Sequence, residues 1–121
     1  MTYKGFNQFC AMLKSTTHVV QWGGADVWKV GGKVFAIGGW ADEEPAFTFK
    51  TDDEAFDALR GLTGVRPAPY FASRGMSWIQ HYARPGLSDK LLKHCLQESH
   101  HLASLNLSKK KRRELGIGDS D

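Results

Sequence analysis

The sequence has few of the features that mark an exported or membrane-bound chain. Its 121 residues include two cysteines and four prolines, and no apolar run approaches the ~20 residues that span a bilayer. The N-terminal segment lacks the apolar centre of a secretion signal, so we expect a cytoplasmic protein. In that compartment Cys10 and Cys95 are expected to be two buried thiols and not a disulfide.

Catalytic and metal-binding motifs are lacking as well. The chain contains no Gly-x-Ser-x-Gly elbow, no phosphate-binding Gly-x-x-x-x-Gly-Lys loop and no His-Glu-x-x-His pair. A single Glu-x-x-His spacing joins Glu98 to His101, whereas di-iron carboxylate sites need two such motifs and further glutamates. We therefore predict a protein that is not an enzyme and holds no metal and no cofactor.

The net charge is small, at +3, but the charges are unevenly distributed along the chain. Residues 40–59 hold seven acids and one base, whereas residues 60–113 hold eleven bases and two acids. Five of those eleven bases form the run 109–113. Such asymmetry indicates a basic surface for an acidic partner. A solvated face is the alternative, because lysines also protect edge strands and favour the last turn of a helix.

Three segments have the spacing of amphipathic helices. Apolar residues recur every three or four positions over 6–13, over 55–62 and over 91–103. Thr51, with a glutamate three residues later, forms a capping box that predicts the start of the second helix. Ser88 is the predicted N-cap of the third.

Three short runs of β-branched and aromatic residues predict neighbouring strands. They lie at 19–22, 27–30 and 33–37, and Gly-Gly pairs at 23–24 and 31–32 separate them. A two-residue hairpin turn of type I′ needs positive φ at both positions, which glycine adopts without strain. The sequence therefore predicts two consecutive β-hairpins.

Two further strands complete a predicted sheet. Residues 46–50 and 76–82 alternate in the manner of strands, while two prolines exclude a regular helix over 65–70. Strands joined by tight turns predict an α+β fold, an antiparallel β-sheet with flanking helices. We predict a single domain at 1–108 and a charged C-terminal tail at 109–121, which is either a frayed helix end or a solvated arm.

The segment 22–36, which reads WGGADVWKVGGKVFA, resembles the core signature of the MmcQ/YjbR-like family of small bacterial proteins. Further similar segments follow in the order of that family: the strand end at 48–50, the proline segment at 65–70, the strand around Trp78, and residues 99–102 before the basic run. The resemblance extends over nearly the whole chain.

The resemblance implies a CyaY-like fold, related in shape to frataxin-like domains. It also implies DNA binding through a double-wing arrangement of hairpins. On that hypothesis the hairpin 27–37 and the loop 64–75 contact DNA, with basic side chains on the phosphates and an aromatic ring near them. The candidate nucleic-acid-binding residues are Lys29, Lys33, Lys50, Arg66, Arg74, Trp78, Arg84, Lys109, Lys110, Lys111, Arg112 and Arg113.

The tryptophans allow a second hypothesis. Trp22, Trp28 and Trp40 cannot all be buried on one side of a small sheet, so we expect at least one to be exposed. An exposed tryptophan beside a glycine turn suggests a contact surface for a partner chain or a ligand. The alternative to DNA binding is therefore a non-enzymatic module that binds a protein or a small ligand through tryptophans on the sheet.

Overall fold

The structure is a computed structural model that describes residues 1–41, 43–71 and 74–117. The helices of these residues are α1 (Tyr3–Met12), α2 (Asp53–Leu59), α3 (Asp89–Ser104) and α4 (Lys109–Glu114). The strands are β1 (Thr16–Gln21), β2 (Ala25–Val30), β3 (Lys33–Gly38), β4 (Phe47–Lys50), β5 (Val65–Pro67) and β6 (Trp78–His81). The predicted α+β class is confirmed. Within these ranges no helix has the length and apolar character needed to cross a membrane.

The six strands form one antiparallel sheet in the order β1-β2-β3-β4-β6-β5. Cross-strand partners lie on the same face of a sheet. One row of partners runs through Val27, Ile37, Thr48, Gln80 and Arg66. We call the face that carries this row the second face, and the opposite face, on which α1 and α3 pack, the helix face.

The predicted two-residue turn at Gly31 and Gly32 is confirmed, since Val30 pairs with Lys33. The turn at Gly23 and Gly24 has three residues and not two, because Gln21 pairs with Ala25 and Trp22, predicted in the strand, belongs to the turn. Gly23 and Gly24 join β1 to β2 with φ of +81° and +90°, and Gly31 and Gly32 join β2 to β3 with φ of +57° and +85°. These values lie in the left-handed region, where a residue with a β-carbon is strained. The two hairpins therefore depend on glycine at these positions.

The main core lies between the helices and the helix face. Phe6 of α1 and Leu96 of α3 are fully buried against aromatic residues of the central strands, among them Phe35, Phe47 and Phe49. The cysteines belong to this core, and both are free and buried, as predicted. Burial raises the pKa of the Cys95 thiol to about 11, so this thiol stays protonated at neutral pH.

Ser99 of α3 links two strands where their own pairing ends. Its hydroxyl donates to the carbonyl of Phe35 at 2.6 Å and accepts from the amide of Lys50 at 2.8 Å. Ser99 is fully buried, so these backbone groups have no access to water at this point. The hydroxyl thus continues the β3–β4 ladder by one residue and ties it to α3.

Replacing Ser99 with alanine is expected to lower the free energy of unfolding by about 2 kcal/mol, because buried backbone groups lose a partner. Urea unfolding followed by circular dichroism measures the loss. Ser104→Ala is the matched control, since the Ser104 hydroxyl donates to the carbonyl of His101 in the same helix and links no strands. Equal losses in the two variants would contradict the linking role of Ser99.

The predicted N-cap of α2 is wrong by one residue. The side chain of Asp52, not of Thr51, accepts from the amide of Ala55 at 2.7 Å. Thr51 is instead held by the sheet, because its amide and its hydroxyl both donate to the carbonyl of Ser77. The β4–β6 pairing therefore extends one residue further than the capping pattern indicated.

The basic run 109–113 lies in its own helix. The structure ends α3 at Ser104, and Ser108 caps α4 by accepting from the amide of Lys111. The chain after α4 returns to the domain: Leu115 lies against Gly31, and Ile117 packs on the main core. The run is thus not a continuation of α3. The domain boundary at residue 108 stays a prediction, and residues 118–121 of the predicted tail lie outside the described residues.

Candidate functional site

Four aromatic rings from three separate segments meet over the second face. Trp22 lies at the β1–β2 turn, Trp40 follows β3, and Tyr70 and Phe71 belong to the connection between β5 and β6. The ring of Trp40 is central, with centroid distances of 5.9 Å to Trp22, 5.8 Å to Tyr70 and 6.0 Å to Phe71. Its indole N–H donates to the carbonyl of Trp22 at 3.2 Å, which joins the first two segments.

These rings enclose an open cavity of about 830 Å³, which we call the aromatic cleft. Its lining residues are Trp22, Trp40, Pro69, Tyr70, Phe71 and Arg74. Trp22 is 48% exposed and Tyr70 is 71% exposed, an unusual degree of exposure for such large apolar rings. Arg74 is exposed and is the charged residue of the lining.

The backbone of the cleft is strained at three of its aromatic residues. Trp22, Trp40 and Tyr70 have φ of +55°, +70° and +70°. Among the described non-glycine residues, Ser15 alone shares this left-handed conformation. It costs a residue with a β-carbon about 1–2 kcal/mol, and such strain concentrates at functional sites. The strain therefore marks the aromatic cleft as the candidate functional site.

The chemistry of the cleft suits a planar, negatively charged ligand. Exposed rings bind flat groups by stacking, while an arginine contributes hydrogen-bond donors and a permanent positive charge. A nucleotide unit of a nucleic acid combines both properties.

A model of the YjbR family matches residues 11–102, which include the whole lining of the aromatic cleft. The chain belongs to the YjbR family. The resemblance seen in the sequence is thereby confirmed. The basic run of α4 lies outside the matched residues.

Two solved structures show the same fold as this YjbR chain. The first is the Deinococcus radiodurans protein DR2400, a DUF419 domain, with a TM-score of 0.84 and 21% identity over 99% of this chain and 91% of that one. The second is a Pseudomonas syringae protein, a structural genomics target, with a TM-score of 0.68 and 18% identity over 85% of this chain and 99% of that one. Among curated proteins, none is significantly similar to this chain.

Four of the predicted cations belong to the same side of the YjbR domain as the cleft. By register, Lys29, Lys50 and Arg66 lie on the second face, and Arg74 lines the cleft itself. Arg66 is held in place, because its Nε donates to Gln80 Oε1 at 2.8 Å and its guanidinium lies 4.1 Å from the ring centroid of Tyr82. These residues stay the candidate phosphate contacts.

The other predicted cations lie elsewhere. Lys33 is beside the Gly31–Gly32 turn, at the opposite end of β2 from Trp22. The α4 run is near that turn, because Leu107 and Leu115 flank α4 in the chain and both contact Gly31. Lys29 is also near this end of β2, but it lies on the second face. The predicted cations therefore do not form one surface.

The ring of Trp78, which the sequence indicated as the aromatic group near the phosphates, is buried under another ring. It is 4% exposed, and the ring of Phe71 stacks on it at 4.5 Å with an interplanar angle of 16°. Its position on the second face of β6, beneath the β5–β6 connection, explains the burial. Tyr70, which immediately precedes Phe71, presents the exposed ring instead.

One of the two segments that the sequence predicted to contact DNA lines the aromatic cleft, and the other does not. The loop 64–75 contributes to the cleft, but the hairpin 27–37 does not line it. Trp28 is buried, with its indole N–H donating to Asn7 Oδ1, so the exposed tryptophan that we expected is Trp22. Trp40 and Phe71 were not predicted as site residues, since no local pattern indicates that their segments fold over the sheet.

A second cavity, of about 900 Å³, lies on the other side of the sheet. It is bordered by α1, the start of α3 and the segment after β6, and both Arg84 and His81 line it. Arg84 pairs with Glu44, with 3.5 Å between Nε and Oε2. This ion pair leaves Arg84 on the opposite side of the molecule from the aromatic cleft.

Within the described ranges, no three His, Cys, Asp or Glu side chains are grouped to hold a metal ion.

His81 makes the stability of this domain depend on pH. Its Nδ1 accepts the amide of Leu87 at 3.0 Å, and burial lowers the pKa of His81, with a smaller contribution from the N-terminal ammonium. Below about pH 6.5 the unfolded chain binds a proton that folded His81 resists, so the contribution of His81 to stability falls as the pH decreases, by at most ~1.4 kcal/mol per pH unit.

Urea unfolding at several pH values between about 7.5 and 5.5 measures this slope, with the unperturbed pKa of histidine near the middle of the range. We expect His81→Gln to reduce it. His94→Gln, which changes an exposed histidine of α3, is the control and should leave the slope as it is. An unchanged slope in His81→Gln would assign the pH dependence to other groups.

Proposed function

We propose that this YjbR-family chain is a non-enzymatic, cytoplasmic protein that binds single-stranded DNA at the aromatic cleft. The observation that carries the proposal is the convergence of four aromatic rings and one arginine from three segments on a single open cavity. Bases of a single strand stack on aromatic rings whatever their sequence. Bases of a duplex already stack on one another and do not reach rings inside a cleft.

We assign the phosphates of the single-stranded DNA to the cations of the aromatic cleft and of the second face. Arg74 is within the lining, and Lys29, Lys50 and Arg66 share the second face. Each phosphate that a cation neutralises releases a counterion, which makes the affinity depend on salt. With three or four such contacts, we expect log K to fall against log salt with a slope between about −2 and −3.

Fluorescence anisotropy of a labelled oligonucleotide, measured over a salt series, tests the proposal. We expect the single strand to bind more tightly than a duplex of the same sequence, with the stated slope. Arg74→Gln should reduce the slope by about 0.7, which is the contribution of one contact. Equal affinity for duplex and single strand, or no dependence on salt, would argue against this function.

The edge of the sheet favours protein binding as a second candidate function. β1 is an outer strand, and Val19 and Val20 on it are 38% and 57% exposed beside the turn that carries Trp22. An unprotected edge strand pairs readily with a strand of another chain. Self-association or peptide binding that survives high salt and is abolished by Val20→Lys would support this candidate over DNA.

A further inference from the structure

Three buried polar atoms on the second face have no hydrogen-bond partner among the described residues. They are Thr48 Oγ1, Trp78 Nε1 and Gln80 Nε2. Thr48 and Gln80 are directly opposite each other on β4 and β6, and Trp78 lies two residues before Gln80 on the same face. The three side chains are therefore neighbours. A buried polar group without a hydrogen-bond partner lowers stability, so native proteins pair nearly all such groups.

The chemistry of this group is that of hydrogen-bond donors. The indole N–H of Trp78 and the amide of Gln80 Nε2 donate only, and the hydroxyl of Thr48 can donate. The orientation of the Gln80 amide is fixed, because its oxygen already accepts from Arg66 Nε. The group therefore matches a ligand edge that presents acceptors.

Phe71 lies between Trp78 and the open part of the cleft, and it packs on the cluster that contains Ile37, the cross-strand partner of Thr48. Its ring stacks on Trp78 at 4.5 Å and faces Trp40 at 6.0 Å with an interplanar angle of 29°, so it occupies a slot between two indoles. The same ring lines the cleft. A flat ligand ring of similar size fits this slot if Phe71 leaves it.

The backbone beside Phe71 is strained in the closed arrangement. Tyr70, the preceding residue, has a φ of +70°, which a residue with a β-carbon adopts at a cost. Rotation of this residue out of the left-handed region relieves the strain and moves Phe71, whose amide then gives up its bond to the carbonyl of Pro69. Relief of strain offsets part of the loss of stacking on Trp78.

We propose that Phe71 is a plug in an inner compartment of the aromatic cleft, and that this compartment takes a pyrimidine ring with two carbonyl groups. The ring of such a base replaces that of Phe71 between Trp40 and Trp78, and its carbonyl oxygens accept from Thr48 and Gln80. Thymine presents carbonyl acceptors, whereas the exocyclic amine of adenine is a donor and meets donors. The inference deepens the proposed function, on which its relevance to DNA rests.

Phe71→Ala tests the plug directly, because it vacates the slot. We expect the variant to bind the free nucleoside thymidine at least tenfold more tightly than the unaltered chain does, and at least tenfold more tightly than deoxyadenosine. Nuclear magnetic resonance titration measures both affinities and follows the indole N–H signal of Trp78, which should shift with thymidine. Phe56→Ala, a half-buried phenylalanine of α2, is the matched control and should leave thymidine binding unchanged.

Thr48→Val in the Phe71→Ala background separates hydrogen bonding from stacking, because valine keeps the shape and removes the donor. We expect the preference for thymidine over deoxyadenosine to fall about threefold. Equal binding of the two nucleosides by Phe71→Ala, or no binding of either, would overturn the inner compartment. Should Phe71→Ala fail to fold, Phe71→Leu with the same titration takes its place, and absence of a preference there would overturn it too.

The two proposals fail separately. Oligonucleotide binding by the unaltered chain without a thymidine preference in Phe71→Ala removes the inner compartment and leaves the cleft as a stacking surface. Thymidine binding by Phe71→Ala without oligonucleotide binding supports the compartment and removes single-stranded DNA as its natural ligand.

Discussion

Replacing Trp22 and Tyr70 together with alanine is expected to weaken the binding of single-stranded DNA about 30-fold or more. Stacking of a base on an aromatic ring contributes ~1–3 kcal/mol, so the loss of two rings amounts to at least ~2 kcal/mol, a factor of about 30. Alanine keeps the β-carbon and therefore the same demands on the left-handed backbone at both positions. Anisotropy at constant salt measures the change.

The control for this double variant is Met12→Ala. Met12 is another large exposed apolar residue, on α1 and remote from the cleft, and its loss should leave the affinity unchanged. The salt dependence should also persist in the double variant, because the cations remain. An affinity within twofold of the unaltered chain would mean that the exposed rings do not touch the strand.

Gly64→Ala is expected to lower the free energy of unfolding by more than ~3 kcal/mol, the range of severe single substitutions. Gly64 has a φ of +84°, and a β-carbon there would lie 2.1 Å from the carbonyl oxygen of Ala83. The carbonyl of Gly64 also accepts from the amides of Tyr82 and Ala83. The clash is therefore with backbone that cannot move away without breaking these bonds.

Gly75→Ala provides the matched control, since Gly75 has a φ of +77° but no atom of the described residues lies within 4 Å of a β-carbon built there. Its cost is that of the left-handed conformation alone, about 1–2 kcal/mol. Chemical denaturation of both variants separates close approach from conformational strain. Similar losses in the two variants would show that the segment after β6 moves aside for the new methyl group.

The elements that carry a local signal were predictable from the sequence. The hairpins around residues 23–24 and 31–32 follow from glycine pairs between β-branched runs, and α3 follows from helical spacing after Ser88. β5 was not predicted, because its three residues include a proline and form a strand only by pairing with β6. Asp52 and not Thr51 caps α2, because Thr51 donates to the carbonyl of Ser77, a residue distant in the sequence.

The sequence indicated which types of residue form the candidate site but not how they come together. Counting tryptophans against the area of one face of a small sheet indicated at least one exposed ring, and Trp22 is exposed. The meeting of Trp22, Trp40 and Tyr70 depends on two connections that fold back over the second face, which no spacing in the sequence specifies. The position of each cation depends likewise on strand register and not on its neighbours in the chain.

The origin of the cleft in three distant segments links ligand capture to the folding of the whole domain. Trp22, Trp40 and Tyr70 come together only when β1, β3 and β5 are all in place, so no fragment of the chain reproduces the site. A ligand held there stabilises every part of the domain at once, by about 2.7 kcal/mol at a concentration of 100 Kd. Thermal-shift screening of compound libraries can therefore find the natural ligand of this cleft before its identity is known.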